Sequence, residues 1–202
     1  MQIRKLLFPA LVLGAALAQP ARAQTILPLS FEARGGVAIP TGDFADGAGT
    51  GFNVGATVHY RVAPMVSVYA GYEYVRFAVD SLGDVEGVDA HFIDQGFRAG
   101  ARFEVPLAGT MTGLQPWVEG GATFNQTTVS ASNGSASVDI DADRKVGFEV
   151  GAGLNFAVAP KISIAPGVRY HSHKAEFDFG GGDTAEGDVN YFTVDLGVHI
   201  HL

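Results

Sequence analysis

Three observations predict an all-β chain: an eight-stranded antiparallel up-and-down transmembrane β-barrel, preceded by a cleaved signal peptide. Apolar and polar residues alternate through eight segments, each about ten residues long, the length a tilted strand needs to cross a bilayer. The apolar face of these segments is almost free of charge, while the opposite face carries both signs. Short and long connections also alternate, as they do where each hairpin end lies on its own side of a membrane.

The N-terminus stands apart from this pattern. Arg4 and Lys5 precede an apolar run from Leu6 to Leu17, then come Gln19, Pro20 and the small-residue site Ala21-Arg22-Ala23. This is the three-part layout of a secretory signal. Residues 1–23 are therefore expected to be removed, leaving residues 24–202 as one barrel domain. The run is too short for a membrane anchor, and Pro9 interrupts it. Losing Arg4, Lys5 and Arg22 leaves ten Lys+Arg against 21 Asp+Glu, a formal charge of −11. So acidic a chain is a poor candidate for nucleic acid or for anionic headgroups. With no cysteine, disulfides and thiolate chemistry are excluded. The 27 glycines are scattered through the alternating segments and form no tract.

Successive side chains of a strand point to opposite faces, so each segment can be sorted by parity. Leu29–Ile39 places Leu29, Phe31, Ala33, Val37 and Ile39 opposite Glu32 and Arg34. Phe52–Val62 sets Phe52, Val54, Ala56, Val58, Tyr60 and Val62 against Asn53, Thr57, His59 and Arg61. Val66 to about Phe77 opposes Val66, Val68, Ala70, Tyr72 and Tyr74 to Ser67, Tyr69, Gly71 and Glu73. Ile93–Val105 alternates Ile93, Phe97, Ala99, Ala101, Phe103 and Val105 with Asp94, Arg98, Arg102 and Glu104.

The second half repeats the scheme. Leu114–Asn125 sets Leu114, Val118, Ala122 and Phe124 against Gln115, Trp117, Glu119 and Thr123. Trp117 shares parity with Glu119 and is placed inside, since the reverse would put Glu119 in lipid. Val146–Val158 offers Phe148, Val150, Ala152, Leu154 and Phe156 against Glu149 and Asn155. Ile162 to about His173 offers Ile162, Ile164, Val168 and Tyr170 against Ser163, Arg169 and His171. The last segment, Asn190–Leu202, turns Phe192, Val194, Leu196, Val198, Ile200 and Leu202 to one side. Asp195, His199 and His201 lie on the other. Pairing this segment with Leu29–Ile39 is the one arrangement that leaves no free edge.

An internal repeat supports the count of eight. Gly51-Phe52-Asn53-Val54-Gly55-Ala56 recurs as Gly147-Phe148-Glu149-Val150-Gly151-Ala152, and Val62-Ala63-Pro64 recurs as Val158-Ala159-Pro160. Both are offset by 96 residues, which is 24 for each of four strands and connections. The turns at Ala63-Pro64-Met65 and Ala159-Pro160-Lys161 are tight, and Pro106–Gly113 is of moderate length. The stretches 40–50, 78–90, 126–144 and 176–190 read as long loops holding 14 of the 21 acids.

A soluble β-sandwich would also alternate. Against it, the apolar face carries one charge, Arg76, and a lipid-facing charge costs about 2–4 kcal/mol near the midplane. Aromatics on that face gather at segment ends as two girdles: Phe52, Tyr72, Tyr74, Phe124, Phe148, Tyr170 and Phe192 toward the long loops, Phe31, Tyr60, Phe103 and Phe156 toward the short turns. The polar face holds near-balanced charges, expected to form a paired network in the lumen: Glu32, Arg34, Arg61, Glu73, Asp94, Arg98, Arg102, Glu104, Glu119, Glu149, Arg169, His171, Asp195 and His199. Eight strands leave an interior just wide enough for such side chains.

These features resemble the small outer-membrane β-barrel superfamily of Gram-negative bacteria, which includes OmpA-, OmpX- and OmpW-type porin-family barrels. The resemblance rests on the signal, the run Gly35-Gly36-Val37-Ala38-Ile39-Pro40-Thr41-Gly42-Asp43-Phe44, the Val-Ala-Pro turns and the terminal alternating strand. It implies an outer-membrane location, contact with membrane lipid and lipopolysaccharide, and recognition by the insertion machinery. Members usually end in an aromatic residue, whereas this chain ends in Leu202. A monomer is expected.

Chemistry is sparse. Some family barrels modify lipid A with a His and a Ser on one face, but Ser172 is adjacent to His171 and His173 and points the other way. Asp139, Asp141 and Asp143 resemble the opening of a calcium loop, yet Arg144 and Lys145 follow where glycine and a distal Glu belong. No catalytic residue, cofactor or metal site is expected. The function read here is structural or surface-interacting, through acidic loops that divalent cations could bridge to lipopolysaccharide phosphates. The rivals are an OmpW-like passage for small apolar solutes, for which Tyr69, Val75 and Phe77 would form an apolar upper lumen, and a lipid A-modifying enzyme.

Overall fold

A computed structural model describes residues 28–79, 89–105, 114–132, 137–178 and 184–202; the expected signal peptide lies outside them. The chain forms β1 (Leu29–Thr41), β2 (Ala48–Ala63), β3 (Val66–Val79), β4 (Asp89–Glu104), β5 (Leu114–Ser132), β6 (Ser137–Asp141), β7 (Lys145–Ala159), β8 (Ile162–Asp178) and β9 (Thr184–His201). Apart from β6 these are the eight staves of a barrel, each antiparallel to both neighbours. The order β4-β3-β2-β1-β9-β8-β7-β5 closes on itself through β4–β5 pairing. β1 and β9 pair from Ser30↔His201 to Thr41↔Asn190, so the seam expected between first and last strands is present. Closure gives each stave a hydrogen-bonded neighbour on both edges, as hydrocarbon requires.

The repeated hairpins share their irregularity as well as their sequence. Two-residue turns at Pro64-Met65 and Pro160-Lys161 are preceded by register shifts at Arg61/Ala63 and Ala157/Ala159. Proline lacks the N–H that a ladder needs, which suits it to such turns, although Pro40, Pro116 and Pro166 also stand within staves, in register with Tyr191, Leu154 and Leu196.

Most staves are longer than the alternation indicates, chiefly at the long-loop end. β5 runs to Ser132, β8 to Asp178, and β9 begins at Thr184. Within the stretch 126–144, expected as loop, β6 pairs with β5 from Thr128↔Asp141 to Ser132↔Ser137 and continues the lane of β7 upward. Above the membrane both faces of a strand meet polar surroundings, so the hydrophobic period fades while the pairing persists. One connection folds inward: Gly42, in the left-handed region at φ 62°, starts a short 3-10 turn (Gly42–Asp46) that packs Phe44 against Phe77 and Phe92.

The apolar parity faces outward. Leu196 is 58 % exposed, and Phe31, Val54, Val118, Val150 and Val194 are likewise bare. Rings of Phe148, Tyr170 and Phe192 adjoin along the long-loop side, with centroids 6.2 and 5.0 Å apart. So large an apolar belt would be an aggregation surface in water and is a lipid surface in a bilayer. No described helix is long and apolar enough to cross a membrane; the crossing is made by strands.

Candidate functional site

The interior is the part of this molecule where charged chemistry converges. Glu119, on β5, is its hub. Its Oε1 accepts from Arg98 Nη2 at 2.8 Å and Arg169 Nε at 2.6 Å, and its Oε2 from Arg102 Nε at 2.8 Å. Arg169 reaches on to Asp195 at 2.6 Å and Glu32 at 3.0 Å. Arg102 Nη2 lies 2.7 Å from Glu32 Oε2. Toward the long-loop side, Arg34 donates to Glu73 at 2.8 Å and Arg98 to Glu149 at 2.8 Å, while Tyr69 donates to Glu149 and Asn53 to Asp195. Five carboxylates (Glu32, Glu73, Glu119, Glu149 and Asp195) thus face four guanidiniums. Charges so enclosed are tolerable only because each is paired.

Trp117 lies under this network, 2 % exposed, with the guanidiniums of Arg102 and Arg169 over its ring at 4.3 and 4.9 Å. Stacked on an indole, an arginine can still donate in its own plane to carboxylates. Room for the ring comes from Gly167, where a Cβ would lie 2.6 Å from Trp117 Cζ2, and from Gly153 beside it.

The predicted network residues do not all join one cluster. Glu32, Arg34, Glu73, Arg98, Arg102, Glu119, Glu149, Arg169 and Asp195 do. Asp94 is buried toward the long-loop end and meets no guanidinium among the described residues: it accepts from Asn125 at 2.7 Å and Tyr191 at 2.8 Å, with His173 at 3.3 Å. Glu104 is buried toward the short turns, accepting from Asn155 at 3.1 Å. Parity sends Arg61 inside, but its side chain is 49 % exposed and only grazes Glu104 at 3.8 Å, because β2 is ending in its bulge and turn there. His199 lies against Ser30 Oγ at 2.8 Å and beside His59, ring centroids 4.9 Å apart.

His171 stacks on Tyr191 at 4.7 Å and sits 3.9 Å from Glu73 and 3.7 Å from Glu149. These three could offer ligand atoms within 4.8 Å of one another. Arg34 holds the Glu73 Oε2 that faces His171, and Arg98 and Tyr69 hold Glu149 Oε1, while Glu149 Oε2, the oxygen toward His171, has no hydrogen-bond partner among the described residues. Ser172 pairs in register between Phe148 and Asn190, on the face opposite His171 and His173.

Above the ions the lumen changes character. Val75, Phe77, Ala38, Ala175, Val189 and Tyr191 form a buried apolar layer, with Phe44 and Phe92 packed on it. Val75 and Phe77 thus make the apolar upper patch that their parity predicts. Tyr69, grouped with them in the sequence, lies lower, among ions, with Arg98 over its ring at 4.8 Å. Several members of the layer escape sequence reasoning, among them Phe92, Ala175 and Val189, which lie beyond the alternating segments. Phe44 comes from a connection, where parity says nothing, and Tyr191 sits at the start of the last alternating segment, beside its first lipid-facing residue.

The acidic loops are only partly described. Asp80, Asp84, Glu86 and Asp183 lie outside the described residues. Of the calcium-like trio, Asp141 accepts from Thr128 Oγ1 at 2.6 Å, a strand-to-strand bond within the β5–β6 hairpin.

Comparison with known proteins agrees with this architecture. No curated protein matches the chain in sequence. Among solved structures, the neisserial surface protein A is similar at TM-score 0.61 and 17% identity, covering 89% of this chain and 100% of that one. OprG of Pseudomonas aeruginosa gives 0.52 and 17%, covering 86% and 96%. A major outer membrane protein of Thermus thermophilus gives 0.52 and 10%, covering 86% and 99%. At such identities the likeness is one of fold. The family model described as the outer membrane protein beta-barrel domain matches residues 8–200, so the chain belongs to that family and is an outer-membrane β-barrel protein of the Gram-negative cell envelope.

Proposed function

We propose that this protein is a structural or surface-interaction barrel with a closed, non-conducting lumen, working through its outer end and outer wall. The observation that carries the reading is the double filling of the interior. The ion network around Glu119 spans the barrel, and the layer of Val75, Phe77 and Tyr191 caps it. A solute would have to break several buried ion pairs, each costing about 3–5 kcal/mol when one partner is left bare. The reading is also non-enzymatic: His171 and His173 are engaged with acids, and Ser172 lies on the other face. Expression that left lipid A mass unchanged would agree, and a shifted mass would overturn it.

One observation favours passage of small apolar solutes instead. A chamber of about 230 Å³ opens at the long-loop end between Phe44, Phe92, Ala175 and Val189. Proteoliposome swelling separates the two readings. A closed barrel leaves swelling in small sugars and in small apolar solutes at the rate of empty liposomes; solute-dependent swelling would contradict it.

A further inference from the structure

The two sides of the barrel differ on the outside. Across β7–β9 the outward positions carry bulk, such as Val150, Val168, Val194 and Leu196. Across β1–β5 stand Ala33, Ala56, Ala70, Ala99 and Ala122, at adjoining register positions. Phe31, Tyr72, Phe97 and Phe124 rise beside them, and the groove so formed has a volume of about 810 Å³. It climbs from Val198 and Ile200, near the short turns, to Phe124 and Val146, near the long loops. The tilt of barrel strands makes register rows climb in this way.

The upper end of the groove is polar and basic. The guanidinium of Arg144 lies 6.0 Å from the Phe124 ring centroid, and Tyr72 donates to Gln95 at 3.0 Å. Arg76, four residues beyond Tyr72 and so about 13 Å up the strand, lines a second cleft of about 470 Å³ with Phe52 and His91. Other bases at this end have acids: Lys145 pairs with Glu176, and Lys174 with Glu186 at 3.6 Å. Arg76 and Arg144 are exposed; Arg76 Nη2 lies 3.3 Å from His91 Nδ1, and neither arginine pairs with a carboxylate among the described residues. In a chain so rich in acid, two bases left without one at the edge of a hydrocarbon layer call for an external anion.

Their spacing narrows the ligand. β3 and β7 are three strand spacings apart, roughly 14 Å, more than one phosphate can bridge. Arg76 shares its register row with Ile93, Thr128 and Asp141. Rows climb toward β7, so Arg144, three positions below Asp141, returns to about the level of Arg76. Two arginines level with each other suit two phosphates at opposite ends of a disaccharide. The long-loop side faces the exterior in this family.

We propose that the outer wall of β3–β5 binds a diphosphorylated, acylated disaccharide lipid of the outer leaflet, the lipid A portion of lipopolysaccharide. One phosphate lies on Arg76 and the other on Arg144, and one acyl chain lies in the alanine-floored groove. The proposal deepens the surface-interaction reading but does not depend on whether the lumen conducts, so swelling results leave it standing.

The test uses full protein extracted from outer membranes in detergent, stripped of lipid and titrated with diphosphorylated lipid A, with bound lipid counted by native mass spectrometry. One lipid per barrel is expected. Arg76→Ala with Arg144→Ala should weaken binding by about tenfold or more, since charge-assisted hydrogen bonds are lost. The double Lys variant should retain most of it. Ala99→Leu, which fills the groove floor, should weaken it with both arginines intact. Heat-dependent gel mobility reports that each variant is folded. Equal binding by the double Ala variant, equal binding of lipid A lacking both phosphates, or a lipid-free dimer abolished by Ala99→Leu would overturn the proposal.

Discussion

Glu119 and Arg169 meet across the barrel interior at 2.6 Å, although 50 residues separate them in the chain. Each is shared, Glu119 by three arginines and Arg169 by three carboxylates. Because five acids face four bases in this network, losing a base should cost more than losing an acid. Arg169→Leu is expected to lower stability by about 3–5 kcal/mol, the usual cost of baring buried charge. Glu119→Gln should cost clearly less, since Arg98 keeps Glu149 and Arg102 keeps Glu32. Urea unfolding in detergent reads both, and the reverse order would contradict the pairing described.

Trp117 and Gly167 should be energetically coupled. Gly167→Ala puts a methyl 2.6 Å from the indole, and overpacking of this kind costs about 1–3 kcal/mol. Combining it with Trp117→Phe should recover part of that loss. Gly153→Ala should not be rescued, because its methyl would also strike the Pro166 carbonyl. A double-mutant cycle measures the difference; equal rescue at both glycines would refute this packing.

The seam gives a covalent test, made simple by the absence of cysteine. Ala33 and Val198 are register partners on the lipid face, and such a pair has Cα atoms about 5.5 Å apart, within disulfide reach. Ala33→Cys with Val198→Cys should cross-link on oxidation within one chain. Ala33→Cys with Val194→Cys, four residues out of register, should not. Gel mobility with and without reductant decides it.

Outward-facing Leu196 distinguishes a membrane wall from a soluble surface. Leu196→Arg should reduce folding stability in lipid vesicles by about 2–4 kcal/mol, where an exposed position in water would tolerate it. Unchanged folding in vesicles would remove the lipid from that face.

The barrel is legible in the sequence wherever lipid meets one face and the lumen the other. Between Leu29 and Ile39, or Phe192 and Leu202, that contrast writes a strict period of two, and the strands appear where it does. Legibility stops at the outer ends. β6 and the extensions to Ser132 and Asp178 carry no lipid face, so their polar residues look like loop. Parity also correctly sends Trp117, Glu119 and Arg169 inward. It cannot say which charges will meet, because that depends on strand order and stagger. Hence Asp94, expected in the paired network, faces Asn125, Tyr191 and His173, and Arg61 stays at the rim. Phe44 is invisible for a further reason: a connection folding back over the lumen leaves no periodic trace.

Single-channel recording in a planar bilayer tests the closed interior most directly. The filled lumen predicts a baseline without discrete steps for the wild-type barrel. Removing the cap and part of the network together, as in Phe77→Ala with Arg102→Ala, should give openings. Reproducible conductance steps from the wild-type protein would contradict the closed barrel.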